Sequence, residues 1–533
     1  MVCINRRKIL TGALILTAAG VITRVLGFVY RIYMSNLMGA EGMGLYQLIM
    51  PVYALAWSIS CAGFNTTLSK LTAQEKARGE YGNMRRMLVQ SAGVTTLLGV
   101  LLTVVLFFGA GFLADNFFHD ARVLLPLQIL SLAFPFMAAG TCMRGYFIGL
   151  QEAAIPAVNQ VLEQVVRMLV IYLLAARFVP LGLEYAAAVA VIAIVVEEMF
   201  SFLFVFAAYK RHKKKMLGGG AAKNPPAQPA AWRYGMKLNF LPKLSQAQVF
   251  TLIMGMALPL TGNRVAGSLL AAWENVLIPR RLQIYGLSAT EAISEFGRIS
   301  GMAIPLIYFP TAVLTALSVT IVPAVAEAVA AKQERSIAPV ASKALLFAAV
   351  TGMGAAALFM FFSHELGLAI YNQPIGVMLM LLGVMCPFIY MQIVLSGVLN
   401  GLGCQMFIFR NSLLSSGISI GFIYVFVPQF GLVGYIFGWL FSLIVAIGLG
   451  LYKIRQFMPI EMEFSRWFLR PMLAAAAAGL ASRYIADRWL LEAAGLRAGL
   501  AMAIALLLAV YLAGVLLTGC ITRQEIREIT SRR

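Results

Sequence analysis

The sequence predicts an all-α polytopic membrane protein: about fourteen transmembrane helices in two pseudo-symmetric six-helix lobes, plus two extra C-terminal helices. Three observations carry that expectation. The 533 residues are 61% hydrophobic and 12% charged, with a mean hydropathy of +0.84, whereas soluble domains are about a quarter charged. Apolar runs of about 20 residues or more, enough to cross a bilayer, recur from end to end and leave no room for a soluble domain. A pattern in the first half also returns in the second at a constant offset. Long uncharged runs suit helices, not the short alternating strands of a barrel.

Taken in order, the runs place spans at 9–38, 43–70, 87–114, 122–150, 153–178 and 184–209, an N-terminal lobe within residues 1–209. The basic start, Asn5-Arg6-Arg7-Lys8, resembles a signal peptide, but the apolar pattern continues past Arg24 to Met38, so the first span is read as uncleaved. Residues 210–243 hold RHKKK, then GGG and NPPAQP, which reads as a flexible cytoplasmic linker whose basic block anchors on anionic lipid. Spans at 246–282, 299–331, 340–368, 376–402, 406–428 and 431–453 form a C-terminal lobe within 244–455. Residues 456–533 hold spans 469–490 and 497–520 and a basic tail.

The halves match residue by residue. Pro135-Phe136, Gly145 and Gly149-Leu150 return as Pro387-Phe388, Gly397 and Gly401-Leu402, all 252 residues later. Phe178-Val179-Pro180 returns as Phe426-Val427-Pro428. Six spans per half make this a parallel repeat about an axis along the membrane normal, with a cavity expected between the two bundles. The Gly145/Gly149 and Gly397/Gly401 pairs have the GxxxG spacing of close helix packing.

The net charge of +20 could suggest nucleic acid. The basic residues lie in short loops, however, so their partner is the anionic inner leaflet and no nucleic acid is expected. Lys and Arg concentrate in loops that place both termini in the cytoplasm, and the chain is expected in the cytoplasmic membrane. Six cysteines without a CxxC pair and three dispersed histidines argue against a metal site or a disulfide framework. No phosphate-binding G-x-x-x-x-G-K-[ST] loop and no catalytic constellation occurs, so neither an enzyme nor a cofactor is expected. A coupling ion, H+ or Na+, stays open.

Charges at membrane depth mark the candidate site, because each costs at least ~2.5 kcal/mol in bare lipid. The first span carries Arg24 and Arg31; the seventh, which it matches at an offset of about 250, carries Arg264, Glu274 and Asn275 together with Pro259, expected to kink or break it. These five are the candidate cavity residues, whereas Arg280 and Arg281 read as snorkelling to an interface. Glu163 and Arg167, four apart in span 5, read as a helical ion pair, and Glu197 and Glu198 in span 6 as coupling or ion-pair candidates.

At ITRVLGFVYRIY, GAEGMGLYQLIMP, LSKLTAQEKARG and NVLIPRRLQ the chain resembles the polysaccharide-transporter branch of the multidrug/oligosaccharidyl-lipid/polysaccharide exporter superfamily, and more closely the stage V sporulation protein B group. The resemblance implies a 14-helix, two-lobed flippase for a polyprenyl-pyrophosphate-linked sugar, with cortex peptidoglycan precursor as the cargo of that group. It implies the lipid-linked saccharide, and with it the cell-wall polymerase machinery, as partners. The group is similar to lipid II flippases, whose RVLGF arginine Arg24 matches. Their second arginine is displaced here, with Tyr30 in its place and Arg31 following, and their basic residues after the second helix's proline are missing, since Pro51 precedes VYALAW. A cation-coupled exporter of small organic cations and a non-transporting scaffold of the cell-wall machinery remain the competing readings.

Overall fold

The computed structural model describes residues 6–78, 80–218, 245–331, 334–458 and 463–520, and among these no strand occurs. Lipid offers the backbone no hydrogen-bond partners, so helices satisfy it internally. The chain forms two compact units. The first comprises the residues up to Tyr30 together with Leu45–Val276, the second Arg31–Gly44 together with the chain from Leu277 onward.

Unit 1 is built from α1 (Arg6–Trp57) apart from its Arg31–Gly44 stretch, α2 (Gly63–Arg78), α3 (Tyr81–Phe112), α4 (Leu124–Ser131), α5 (Phe134–Gly149), α6 (Ala154–Phe178), α7 (Leu183–Gly218) and most of α8 (Gln246–Ile284). Helix α1 is 52 residues long but leaves helical geometry at Gly39 (φ 68°, ψ −171°), a conformation that only glycine adopts without strain. That break lies where the sequence separates its first two spans.

Unit 2 holds α9 (Ala289–Phe296), α10 (Ile304–Tyr308), α11 (Thr311–Ala330), α12 (Glu334–Phe361), α13 (Ser363–Leu366), α14 (Gly376–Gly383), α15 (Cys386–Gly401), α16 (Gln405–Val425), α17 (Val427–Phe430), α18 (Leu432–Arg455), α19 (Arg470–Ile485) and α20 (Leu491–Leu517). The last two helices are tied to the rest of the unit by polar contacts. Tyr511 donates to the Val350 carbonyl at 2.6 Å, and Arg483 donates to Glu365 at 2.7 Å.

Among the described residues, ten helices are long and apolar enough to cross a membrane, or twelve when the bent pairs α4/α5 and α14/α15 each count as a span. Two of the ten, Ile15–Arg78 and Ser465–Leu517, run for 64 and 53 residues, more than double one crossing. Each is interrupted by a positive-φ glycine, Gly39 or Gly495. Read as two crossings apiece, they bring the total to the fourteen expected. This is a multi-pass membrane protein.

The repeat is visible contact by contact. Helices α5 and α15 begin and end 252 residues apart, and each follows a short helix at a bend, of 45° and 51° respectively. A Cβ on Gly145 would lie 2.8 Å from the Asn65 carbonyl, and one on Gly149 2.5 Å from that of Ser69. In unit 2, a Cβ on Gly397 would meet the Ser318 carbonyl at 2.9 Å and one on Gly401 the Val322 carbonyl at 2.9 Å. Both GxxxG pairs therefore seat one helix backbone on another, α5 on α2 and α15 on α11.

The division between the units does not fall at 210–243. Helix α7 continues through Arg211, His212 and the lysines to Gly218, since Lys and Arg are good helix formers; the Gly/Pro-rich remainder, the C-terminal tail from 521, Asn5 and Cys3 lie outside the described residues. Most of α8 packs with unit 1. Its Val249, Ile253 and Ala257 share a core with Phe64 and Leu68 of α2 and Phe147 of α5. Gly63 has room for no Cβ, which would lie 2.2 Å from the Ala257 carbonyl, and Ser58 and Ser268 hydrogen-bond at 2.6 Å. Pro259 does not break α8, which is helical throughout.

Candidate functional site

Unit 1 encloses a cluster of charged and polar side chains where α5, α6 and α7 meet. Helix α6 presents Asn159, Glu163 and Arg167 at i, i+4 and i+8, one face of the helix. From α5, Arg144 forms an ion pair with Glu163 and donates to Ser201 Oγ at 2.9 Å and Thr141 Oγ1 at 2.8 Å. Glu163 also accepts from Asn159 at 2.7 Å and from Ser201 at 2.5 Å. Asn159, Ser201 and Thr141 are buried; the Asn159 amide nitrogen and both hydroxyls are hydrogen-bonded within the cluster, which offsets their withdrawal from water, while Asn159 Oδ1 has no partner among the described residues.

One α-helical turn further along α6, Arg167 engages Glu197 of α7 through Nε and Nη2 together. This bidentate fork is the strongest ion-pair geometry available to arginine. The Arg167 guanidinium also stands 5.8 Å from the centre of the buried Tyr30 ring, a cation–π contact. Glu198, the next residue, points elsewhere: it accepts from the Tyr53 hydroxyl at 2.6 Å, while its Oε2 is buried with no hydrogen-bond partner among the described residues. The cluster thus holds three carboxylates against two guanidiniums.

The sequence reading named four of these residues but paired them differently. Glu163 and Arg167 do not bond to each other; each reaches a neighbouring helix, to Arg144 and Glu197 respectively. The reason is energetic. An i, i+4 pair contributes ~0.2–0.5 kcal/mol, while an off-helix partner at a buried interface supplies several charge-assisted bonds and cancels a desolvated charge. Sequence spacing marks none of Arg144, Thr141, Asn159, Ser201 or Tyr53 as part of the site. Arg144 carried a usable signal, as the lone charge in FPFMAAGTCMRGYFIG; the hydroxyls and Asn159 carried none.

The candidate cavity residues distribute over both units. Arg24 on α1 and Arg264 on α8 belong to unit 1 and are exposed. Glu274 and Asn275 are half-buried in the same unit, and Asn275 spends its amide on the Ala271 carbonyl at 2.7 Å. Arg31 is half-buried in unit 2. Arg280 is exposed, while the Arg281 guanidinium lies 3.5 Å from the centre of the Tyr424 ring.

With this geometry in hand, comparisons with known proteins are direct. The profile of the family described as polysaccharide biosynthesis protein matches residues 9–329. Over 470 residues the chain is 30% identical to stage V sporulation protein B of Bacillus subtilis (strain 168), covering 87% of each. It is 27% identical over 337 residues to lipid II flippase MurJ of the same organism, covering 60% of this chain and 58% of that one. Among solved structures, lipid II flippase MurJ in an inward closed conformation superposes with a TM-score of 0.68 over 97% of this chain and 100% of that one, at 11% identity. An inward-facing multidrug resistance MATE family transporter of the MOP superfamily gives 0.61 over 84% and 98%, at 13% identity. These structural likenesses establish the fold as that of the MurJ and MATE proteins. The profile match and the stage V sporulation protein B relative, aligned over 87% of both chains, together place this chain in the polysaccharide biosynthesis protein family.

Proposed function

We propose that this protein is a flippase that carries a polyprenyl-pyrophosphate-linked saccharide, the peptidoglycan precursor lipid II, across the cytoplasmic membrane by alternating access. The observation that carries this reading is the 30% identity to stage V sporulation protein B over 87% of both chains. The relation to lipid II flippase MurJ supports the cargo class. Spore cortex or cell wall is the destination, the polymerase machinery there is the downstream partner, and both chain termini face the cytoplasm.

The residues suit such a cargo. A lipid pyrophosphate is a dense anion that needs guanidinium donors in a wet path, and arginine supplies the planar fork for it. Exposed Arg24 and Arg264, each within a candidate span, provide this. An exporter of organic cations would instead favour exposed carboxylates there, whereas the exposed candidates are Arg24 and Arg264, Glu274 is half-buried, and Glu197 and Glu198 are buried. The α5–α6–α7 cluster stiffens unit 1 and offers the surplus carboxylate through which an ion gradient could act. Depletion of the protein tests the reading: lipid II should accumulate on the inner leaflet. Sensitisation to cationic drugs without such accumulation would favour the exporter, and neither outcome the scaffold.

A further inference from the structure

Unit 2 contains a cavity of about 660 Å³ that the transport reading does not use. Its volume lies within the ~300–1,000 Å³ of small-ligand sites. It forms where α8 ends, α14 begins and α17 turns into α18. These are ends of candidate membrane spans, so the cavity sits at the level of lipid headgroups.

Its walls are chemically divided. One wall is a single face of α9 and the turn after it, presenting Thr290, Glu291, Ser294, Glu295 and Arg298. The opposite wall is apolar, with Val377 and Leu381 of α14 and Leu432 and Ile436 of α18. Val377 and Phe430 are themselves 68% and 55% exposed, so the cavity is open.

The polar wall carries both signs of charge in usable form. Ser288 caps α9 and donates its amide and hydroxyl to Glu291 Oε2 at 2.9 and 2.8 Å. These bonds hold the Glu291 carboxyl below the usual carboxylate range, so it is ionised at neutral pH. Arg298 donates Nη1 to Glu295 Oε1 at 2.6 Å, while its Nε has no partner among the described residues. Two carboxylates facing one guanidinium disfavour a purely anionic ligand. A simple cation would leave the remaining arginine donors unused. A ligand with an ammonium and a phosphate a few atoms apart, attached to an apolar tail, satisfies both walls.

We propose that this cavity binds a phosphatidylethanolamine-type lipid, its ammonium on the Glu291/Glu295 carboxylates, its phosphate at Arg298 and its acyl chain along α14 and α18. The assignment is independent of the cargo, because it rests on a site within unit 2 and is read out by lipid retention.

Native mass spectrometry of the purified full-length protein in detergent tests it, with dioleoyl phosphatidylethanolamine, phosphatidylcholine and phosphatidylglycerol offered in equal amounts. Phosphatidylethanolamine should be retained about tenfold better than the others, since trimethylation removes the ammonium donors and glycerol lacks the charge. The Glu291→Gln/Glu295→Gln double variant should lose the preference. Val377→Trp, which fills the cavity from its open side, should cut retention without changing thermal unfolding. Phosphatidylcholine or phosphatidylglycerol held as tightly as phosphatidylethanolamine, or a preference surviving both variants, would overturn the assignment.

Discussion

Replacing Arg167 by leucine gives the sharpest test of the buried cluster. The side chains of Arg167 and Glu197 are 25% and 3% exposed, so the substitution removes two charge-assisted bonds and strands a carboxylate that water scarcely reaches. Breaking a buried ion pair from one side costs ~3–5 kcal/mol. Replacing both partners by apolar residues of similar volume removes the stranded charge, and such exchanges are close to neutral. Arg167→Leu and Glu197→Leu should therefore each lower the unfolding free energy by ~3–5 kcal/mol. The double variant should return to within ~1 kcal/mol of the parent protein, by denaturant titration in detergent. A cycle on Glu163 and Arg167 serves as the control, because an intrahelical pair would couple by only ~0.2–0.5 kcal/mol. Single variants costing under ~1 kcal/mol, or a double variant as unstable as the sum of its parts, would refute the buried-pair assignment.

Three further outcomes follow from the same geometry. Gly149→Ala and Gly401→Ala place a Cβ 2.5 Å from the Ser69 carbonyl and 2.7 Å from Val325 Cβ. Each should destabilise by ~1–3 kcal/mol, measured as a drop in the midpoint of thermal unfolding, and equal effects in the two units would reflect the repeat. Tyr53→Phe leaves Glu198 without its hydroxyl donor and should cost ~1–3 kcal/mol by the same titration. Arg24→Ala and Arg264→Ala should abolish complementation of a depleted strain while normal amounts of protein reach the membrane fraction; normal complementation by both would remove them from the transport path.

Much of the fold was legible because hydrophobic length and glycine spacing are local properties. The matched motifs lie on α5 and α15, which start and end in register, and the glycine pairs indicated close helix packing; that the partners are α2 and α11 came from the structure. The ownership of α8 was not legible. It depends on Gly63 and Ser58, in a distant part of the chain, meeting Ala257 and Ser268, and no spacing within α8 encodes that. The same limit explains the cluster. Sequence spacing reveals which residues share a helix face, so it suggested Glu163 with Arg167, but the partners Arg144 and Glu197 come from α5 and α7. The choice among them is made by burial, which rewards a bidentate fork across helices over a pair along one.

The central claim is that the protein moves a lipid-linked saccharide across a bilayer. Purified full-length protein reconstituted into vesicles carrying fluorescent lipid II, with a membrane-impermeant quencher added outside, measures this directly. Lipid in the inner leaflet should become quenchable in vesicles holding the parent protein and remain protected in those holding Arg24→Ala. Inner-leaflet lipid that stays protected with the parent protein, under either a proton or a sodium gradient, would contradict it.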